Sequence, residues 1–317
     1  MFNLGIIGAG NIANEHVKVI KEIKGLNLYA ITSKSNISAK KLFEKNKFKI
    51  LHNDYKCLAK DKKVDAFLVL VPPDEIYKIC SYLANFKKPI FLEKPAGLNI
   101  DEIIKLNKIF NKKKVTNMIG FNRRFYSIFH KGIKIINKYG KINTVIIEGH
   151  ERHWHLKNLK IKKKYLKNWE MINSIHNIDL IRFFLGEINR VTSQNLEVKK
   201  NNKKNYASII RSKNNLSNCL YLSDWSTSEG WSIKLLGKNI TVIFKPLENG
   251  IWFDNSQKIK KILPEKNDIK FKAGFYKQMK YFKKLLENKK NIWPSENLNQ
   301  SINSVKLAKQ IFNLNDK

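Results

Sequence analysis

Gly8-Ala9-Gly10-Asn11-Ile12-Ala13 follows an apolar stretch, Phe2–Ile7, and opens an amphipathic one. Two glycines at this spacing allow a tight strand-to-helix turn and the close approach of a pyrophosphate, which then sits on the helix N-terminus. Ala13 is small enough for the helix to lie on the strand. Gly8, Gly10, Asn11 and Ile12 are therefore candidate dinucleotide contacts. The next strand ends Thr32-Ser33-Lys34-Ser35, with no carboxylate to accept the ribose hydroxyls of NAD. Ser33 and Lys34 offer a hydroxyl and a cation, which suits the 2′-phosphate of NADP; NAD is the alternative cofactor. Glu93-Lys94-Pro95 ends another predicted parallel strand, where open α/β sheets place ligands, although a surface turn would read the same way.

Two further groups are rich in polar chemistry. His176 heads an apolar stretch with Asp179 three residues on, and two readings stand for it: a proton-transfer group or a core histidine. His150, Glu151, Arg152, His153 and His155 crowd a predicted strand end. In extended chain His153 and His155 share a face and His150 points away, and no second ligand set follows at metal spacing. No metal is expected. A substrate-lining loop with Trp154 as a stacking surface and a plain strand end are the other readings.

The elements that must position these residues alternate. Phe2–Ile7, Leu26–Thr32, Ile50–Leu51, 66–71, 89–92 and 115–119 read as strands, with helices between them at 12–23, 38–46 (cap at Ser38), 55–59, 75–85 and 100–110. Such alternation means a Rossmann-like, doubly wound parallel sheet. After Gly120 the pattern changes: helices at 129–138 and 176–185, alternating strands through 188–262 with turns such as 201–205, and two closing helices. The expected fold class is α/β, with a dinucleotide-binding domain over 1–119. The second domain, 120–317, is α+β with a mainly antiparallel open sheet for substrate binding and oligomerisation.

Composition narrows the class. The 317 residues suffice for two buried cores, and the longest apolar run, 66–73, is far short of the roughly 20 residues a membrane span needs. The opening residues read as a strand, not as a signal peptide, and three scattered cysteines argue for a reducing cytoplasm. The net charge of +35 comes from 55 Lys and only 6 Arg, with 38 Asn and 41 Ile also in excess. A/T-rich codons explain that skew, and the scarcity of Arg argues against nucleic acid as partner. Attraction of an anionic ligand is the other reading of the charge, with lysines densest at 157–167 and 199–204.

Taken in order, GAGNIA at 8–13, the Val71-Pro72-Pro73 strand end, EKP at 93–95, GFNRRF at 120–125 and HNIDL at 176–180 resemble the Gfo/Idh/MocA family of NAD(P)-dependent oxidoreductases. The resemblance runs over essentially the whole chain. It implies an enzyme moving a hydride between nicotinamide and a CH–OH group of a sugar or nucleotide sugar. By the same resemblance Val71, Pro72, Glu93 and Arg124 would contact the cofactor, Glu93 at the nicotinamide ribose, with Pro95 often cis. Lys94 and His176 would face the reacting carbon and handle its proton. From their own chemistry Arg123, Trp154, Asn173 and Asp179 are candidate substrate-binding residues, with Asp179 read either as orienting His176 or as a cap or salt bridge. Many members carry an acid three or four residues before the histidine, where this chain has Asn173 and Ile172. That departure keeps open a non-catalytic dinucleotide-binding paralogue, and an acid restored at 173 would raise activity if the departure is a handicap. Later segments, 230–235 and 244–248, are similar to members associated with surface-polysaccharide sugars. An aromatic sheet face (Trp225, Trp231, Trp252, Phe253) suggests a homo-dimer or homo-tetramer.

Overall fold

The structure is a computed structural model and describes residues 1–156, 158, 161–195, 204–214 and 216–314. The turn expected at 201–205 and the lysine-dense runs fall partly outside the described residues. The chain divides into two compact units. One is Met1–Phe125 with Asn267–Ile302; the other is Tyr126–Lys266 with the chain from Asn303 onward.

In the first unit strands and helices alternate: β1 (Phe2–Ile7), α1 (Asn11–Ile20), β2 (Leu26–Thr32), α2 (Asn36–Asn46), β3 (Ile50–Leu51) and α3 (Tyr55–Lys60). There follow β4 (Ala66–Val69), α4 (Pro73–Leu83), β5 (Ile90–Leu92), α5 (Ile100–Lys113) and β6 (Asn117–Ile119). The six strands form one parallel sheet in the order β3-β2-β1-β4-β5-β6. The order reverses between β1 and β4, the switch point at which such sheets open a crevice. All of Ala66–Val69 is buried, as a strand covered on both faces requires.

The helix Phe275–Asn288, near the C-terminus, completes this unit. Its Phe275, Met279, Phe282, Leu285 and Leu286 recur at helical spacing and are buried in one cluster with Ile6, Val17, Phe91 and Met118. Buried Arg124 is 3.0 Å from Glu296 and donates to the Pro294 carbonyl. One detail of the sequence reading is corrected: α2 is capped by Ser35, whose hydroxyl accepts from Ser38 N at 3.3 Å, so the helix begins before Ser38.

The second unit is built on an eight-stranded sheet, β7 (Thr144–Gly149), β8 (Ile188–Asn195), β9 (Asn205–Ser212), β10 (Asn218–Asp224), β11 (Trp231–Gly237), β12 (Ile240–Phe244), β13 (Gly250–Asp254) and β14 (Lys260–Ile262). The order is β14-β13-β12-β11-β7-β10-β9-β8, antiparallel except where β7 lies parallel to β10. The helix Ile175–Leu185 is buried along its whole length and packs on β7 and β10. The fold is the expected one: a parallel Rossmann sheet and a second, mainly antiparallel sheet domain with helices.

The polar cluster after β7 is a second correction. His153–Leu156 forms a turn of helix instead of extended chain, so His153 and His155, two residues apart, no longer share a face. Among the described residues no three His, Cys, Asp or Glu side chains converge as a metal group, and no helix is long and apolar enough to cross a membrane.

Candidate active site

The geometry at the end of β1 follows from hydrogen bonds on both sides. Gly8 N donates to Thr32 O at 2.8 Å, and Leu70 N donates to Ile7 O at 2.8 Å. Gly8 has φ +111°, and a Cβ there would lie 2.3 Å from Leu70 O, so only glycine fits. Gly10 is different. It precedes α1 with φ −82°, and a Cβ there would meet nothing within 4 Å. Gly10 is the N-cap of α1, a position glycine favours, and the space beside it is open. No side chain caps α1 and its first turn holds no acidic residue, so the amides beginning at Asn11 and Ile12 suit an anion. Residues and space at this turn fit a dinucleotide pyrophosphate.

Around this turn the other first-unit residues take their places. Ser33 is half-buried and Lys34 exposed just past β2, and Lys34 Nζ lies 3.2 Å from Glu75 Oε1 in the first turn of α4. Val71 and Pro72 join β4 to α4. Glu93 follows β5; its Oε1 is 3.0 Å from Nε2 of His16, and a Cβ on Gly120 would lie 3.1 Å from its carboxyl group. His16 is fully buried on α1 between Phe91 and Phe275, so the Glu93 carboxylate is held from behind by a ring with no freedom. Lys94 is half-buried and its peptide bond to Pro95 is cis. Arg123 is half-buried beside the buried Arg124–Glu296 pair.

In the second unit His176 is buried near the start of the helix Ile175–Leu185, which a turn of π-helix, Glu170–Ser174, precedes. Asn173 Nδ2 donates to both oxygens of Glu151, at 3.1 and 2.9 Å. Ser174 Oγ and Trp169 Nε1 donate to the same carboxylate at 2.7 and 2.8 Å. Glu151, only 4% exposed, thus brings a carboxylate to Asn173 from the end of β7. Sequence reasoning placed Glu151 among metal candidates and missed this partnership, which joins residues 22 apart in the chain. It missed His16 as well, although the spacing 13, 16, 17, 20 sets His16 on the buried face of α1. Asp179 accepts from Ser304 Oγ at 2.8 Å, Ser304 accepts from Arg182, and Arg182 reaches Glu187. Trp154 is 51% exposed and donates to the Thr227 carbonyl.

Comparison with known proteins decides the class of the first unit. Residues 2–121 match the model of the oxidoreductase family with an NAD-binding Rossmann fold. Over that stretch the chain is similar to the Gfo/Idh/MocA oxidoreductases. An uncharacterized oxidoreductase of Bacillus subtilis, YrbE, is 30% identical over 191 residues, 57% of this chain and 53% of that protein. The myo-inositol 2-dehydrogenase of Thermotoga maritima is 32% identical over 128 residues, 40% of this chain and 38% of its own length. The matched stretches therefore span about half or less of these curated relatives. An oxidoreductase from Agrobacterium radiobacter, solved with NAD+, L-tartaric acid and magnesium, shares the fold at TM-score 0.80 and 14% identity, over 97% of this chain and 94% of its own. The glycine turn, Glu93 and Lys94 all lie at the ends of parallel strands, the edge at which a Rossmann sheet binds its ligand.

Two substitutions test this site. Gly10→Val should cost about 1 kcal/mol of stability, because Val is a poor N-cap, while weakening NADH and NADPH binding by about tenfold or more, since a branched side chain enters the pyrophosphate path. Fluorescence titration checks it, and unchanged affinity would remove the turn from the site. Asn173→Asp should not help activity: it would set a second carboxylate against Glu151 in place of a donor. A loss of about 2 kcal/mol of stability is expected at neutral pH, shrinking in acid as one carboxyl takes a proton. Thermal melts across pH read it, and a melt unchanged at neutral pH would contradict the Glu151 geometry.

Proposed function

We propose that the protein is an NAD(P)-dependent oxidoreductase acting on a CH–OH group, or the corresponding ketone, of a sugar or nucleotide sugar in the cytoplasm. The observation that carries this reading is the match of residues 2–121 to an NAD-binding oxidoreductase domain with its glycine turn open to a ligand. Support for the substrate class comes from the relatives, which include myo-inositol 2-dehydrogenase and the glucose-6-phosphate 3-dehydrogenase of Bacillus subtilis.

In this reading the turn Gly8–Ile12, with Val71 and Pro72, holds the dinucleotide, and Glu93, braced by His16, accepts the hydroxyls of the nicotinamide ribose. A bound nicotinamide supplies the hydride acceptor for oxidation, or the donor for reduction. Oxidation removes a hydride and a proton from the alcohol together; in this reading the hydroxyl proton is taken up by the neutral imidazole of His176, or by Lys94 acting as the free amine. Asn173 cannot take a proton; through Glu151 it is oriented to hydrogen-bond a substrate hydroxyl. Within the first unit Arg123 and Arg124 are the proposed further ligand contacts, with Arg124 held by its ion pair; within the second unit they are Trp154 and Asp179, with Asp179 held by Ser304. Ser33 and Lys34 favour NADP(H), and Glu75 beside Lys34 weighs toward NAD(H). The missing acid at 172 and 173 favours a second reading, a dinucleotide-binding paralogue that does not turn over.

A panel of polyols, sugars and nucleotide sugars, with NAD+ and NADP+ and reduced-nicotinamide absorbance as readout, separates the two. Turnover that Lys94→Ala abolishes, with cofactor affinity changed no more than a few-fold, is the expected result. Binding without turnover on any member favours the paralogue. The same reading includes a homo-oligomer through the second sheet. The aromatic face expected for it is corrected: Trp225 is 3% exposed, and the consecutive Trp252 and Phe253 point to opposite sides of β13. The exposed apolar residues are instead Ile209 and Leu220, which stand in register and are 60% and 43% exposed, with Leu222 beside them. Leu220→Lys should lower the particle mass in light scattering toward the monomer; an unchanged mass would place the interface elsewhere.

A further inference from the structure

The two segments that flank the outlet of β1 are joined above it. In the sheet β1 lies between β2 and β4. Hydrogen bonds carry that arrangement to the last residues, Gly8 to Thr32 on one side and Ile7 to Leu70 on the other. Lys34 stands two residues beyond Thr32, and Glu75 five residues beyond Leu70, yet their side chains meet at 3.2 Å. The pair therefore bridges from the β2 side to the β4 side of the strand end that carries the glycine turn. Glu75 occupies the first turn of α4, where the helix dipole favours a carboxylate, so its charge is the anchored half of the pair. Lys34 is the mobile half, its side chain 91% exposed against 32% for Glu75.

We infer that Glu75 is a cofactor-specificity residue, which disfavours a 2′-phosphorylated dinucleotide by holding Lys34 and by setting a carboxylate against the phosphate. The inference rests on the dinucleotide-binding reading of the turn. The end of β2 has no acid of its own, and in this arrangement α4 supplies one from across β1. A 2′-phosphate adds close to two negative charges. To recruit Lys34 it would have to break the ion pair and remain near the released carboxylate. The adenosine ribose of NAD has no such conflict, and its hydroxyls can donate to a carboxylate in that position.

The test is a titration of the full chain with NADH and with NADPH, following nicotinamide fluorescence at low and high salt. In Glu75→Gln the ratio of the two dissociation constants should move toward NADPH by about fivefold or more at low salt, and by less at high salt, because the charges are near the surface. In a Lys34→Ala background the same Glu75→Gln change should give a clearly smaller shift, since only the direct repulsion is then relieved and no ammonium is freed. A ratio unchanged by Glu75→Gln, or a shift equally large without Lys34, would overturn the inference while leaving dinucleotide binding intact. An unaltered protein that binds neither dinucleotide would instead overturn the reading of the turn, and with it the inference.

Discussion

Everything at the candidate cofactor site depends on how closely the chain after β1 passes the chain after β4. A side chain at residue 8 would put its first carbon 2.3 Å from the Leu70 carbonyl oxygen, well inside contact distance. With glycine there, the strand end keeps its hydrogen bonds to both neighbours and the backbone turns sharply into α1. α1 can then lie across the sheet with Ala13, Val17 and Ile20 buried, and its uncapped amides remain at the edge where a ligand would enter. The same strand ends set the starting points of 33–35, 71–75 and 93–95. One close approach in the backbone thus positions a turn, an ion pair and a carboxylate.

Carboxylates near the candidate sites are held by donors, as the cost of burying charge requires. Glu93 has the buried ring of His16, itself wedged between two phenylalanine rings. Glu151 has three donors from the turn that leads into the His176 helix. Glu170, in that turn, meets Lys204 and Tyr206. The π-helical turn is therefore pinned on two sides by charge-assisted hydrogen bonds, the stronger kind. Asn173 is placed to act through an orienting carboxylate, a chemical solution different from placing the acid in the helix itself.

The high positive charge of the chain looks different at this scale. Individual lysines are tied locally: Lys34 meets Glu75, and Lys88 donates to the Asp61 backbone carbonyl, its burial pulling the ammonium pKa down. Net charge describes the far field that a ligand meets first. Selection between two dinucleotides differing by a phosphate depends on the near field, where one carboxylate can cancel one ammonium.

The sequence by itself determined the Rossmann half almost completely. Period-two and all-apolar runs, glycine punctuation and helical spacing are local signals, and the parallel sheet follows from their alternation. The glycine turn was legible because its chemistry and its geometry lie in six consecutive residues. The class of the second sheet was legible too, from alternation in 231–236 and 240–244. What only the tertiary structure decided are pairings between distant residues. The buried face of the helix Phe275–Asn288 shows in its spacing, but an amphipathic face carries no address, and only packing assigns it to the first unit. His16 with Glu93, Lys34 with Glu75 and Asn173 with Glu151 are separated by 77, 41 and 22 residues. A side chain's type states what it can bond, whereas its partner is set by strand order and helix placement, and these exist only once the chain has folded.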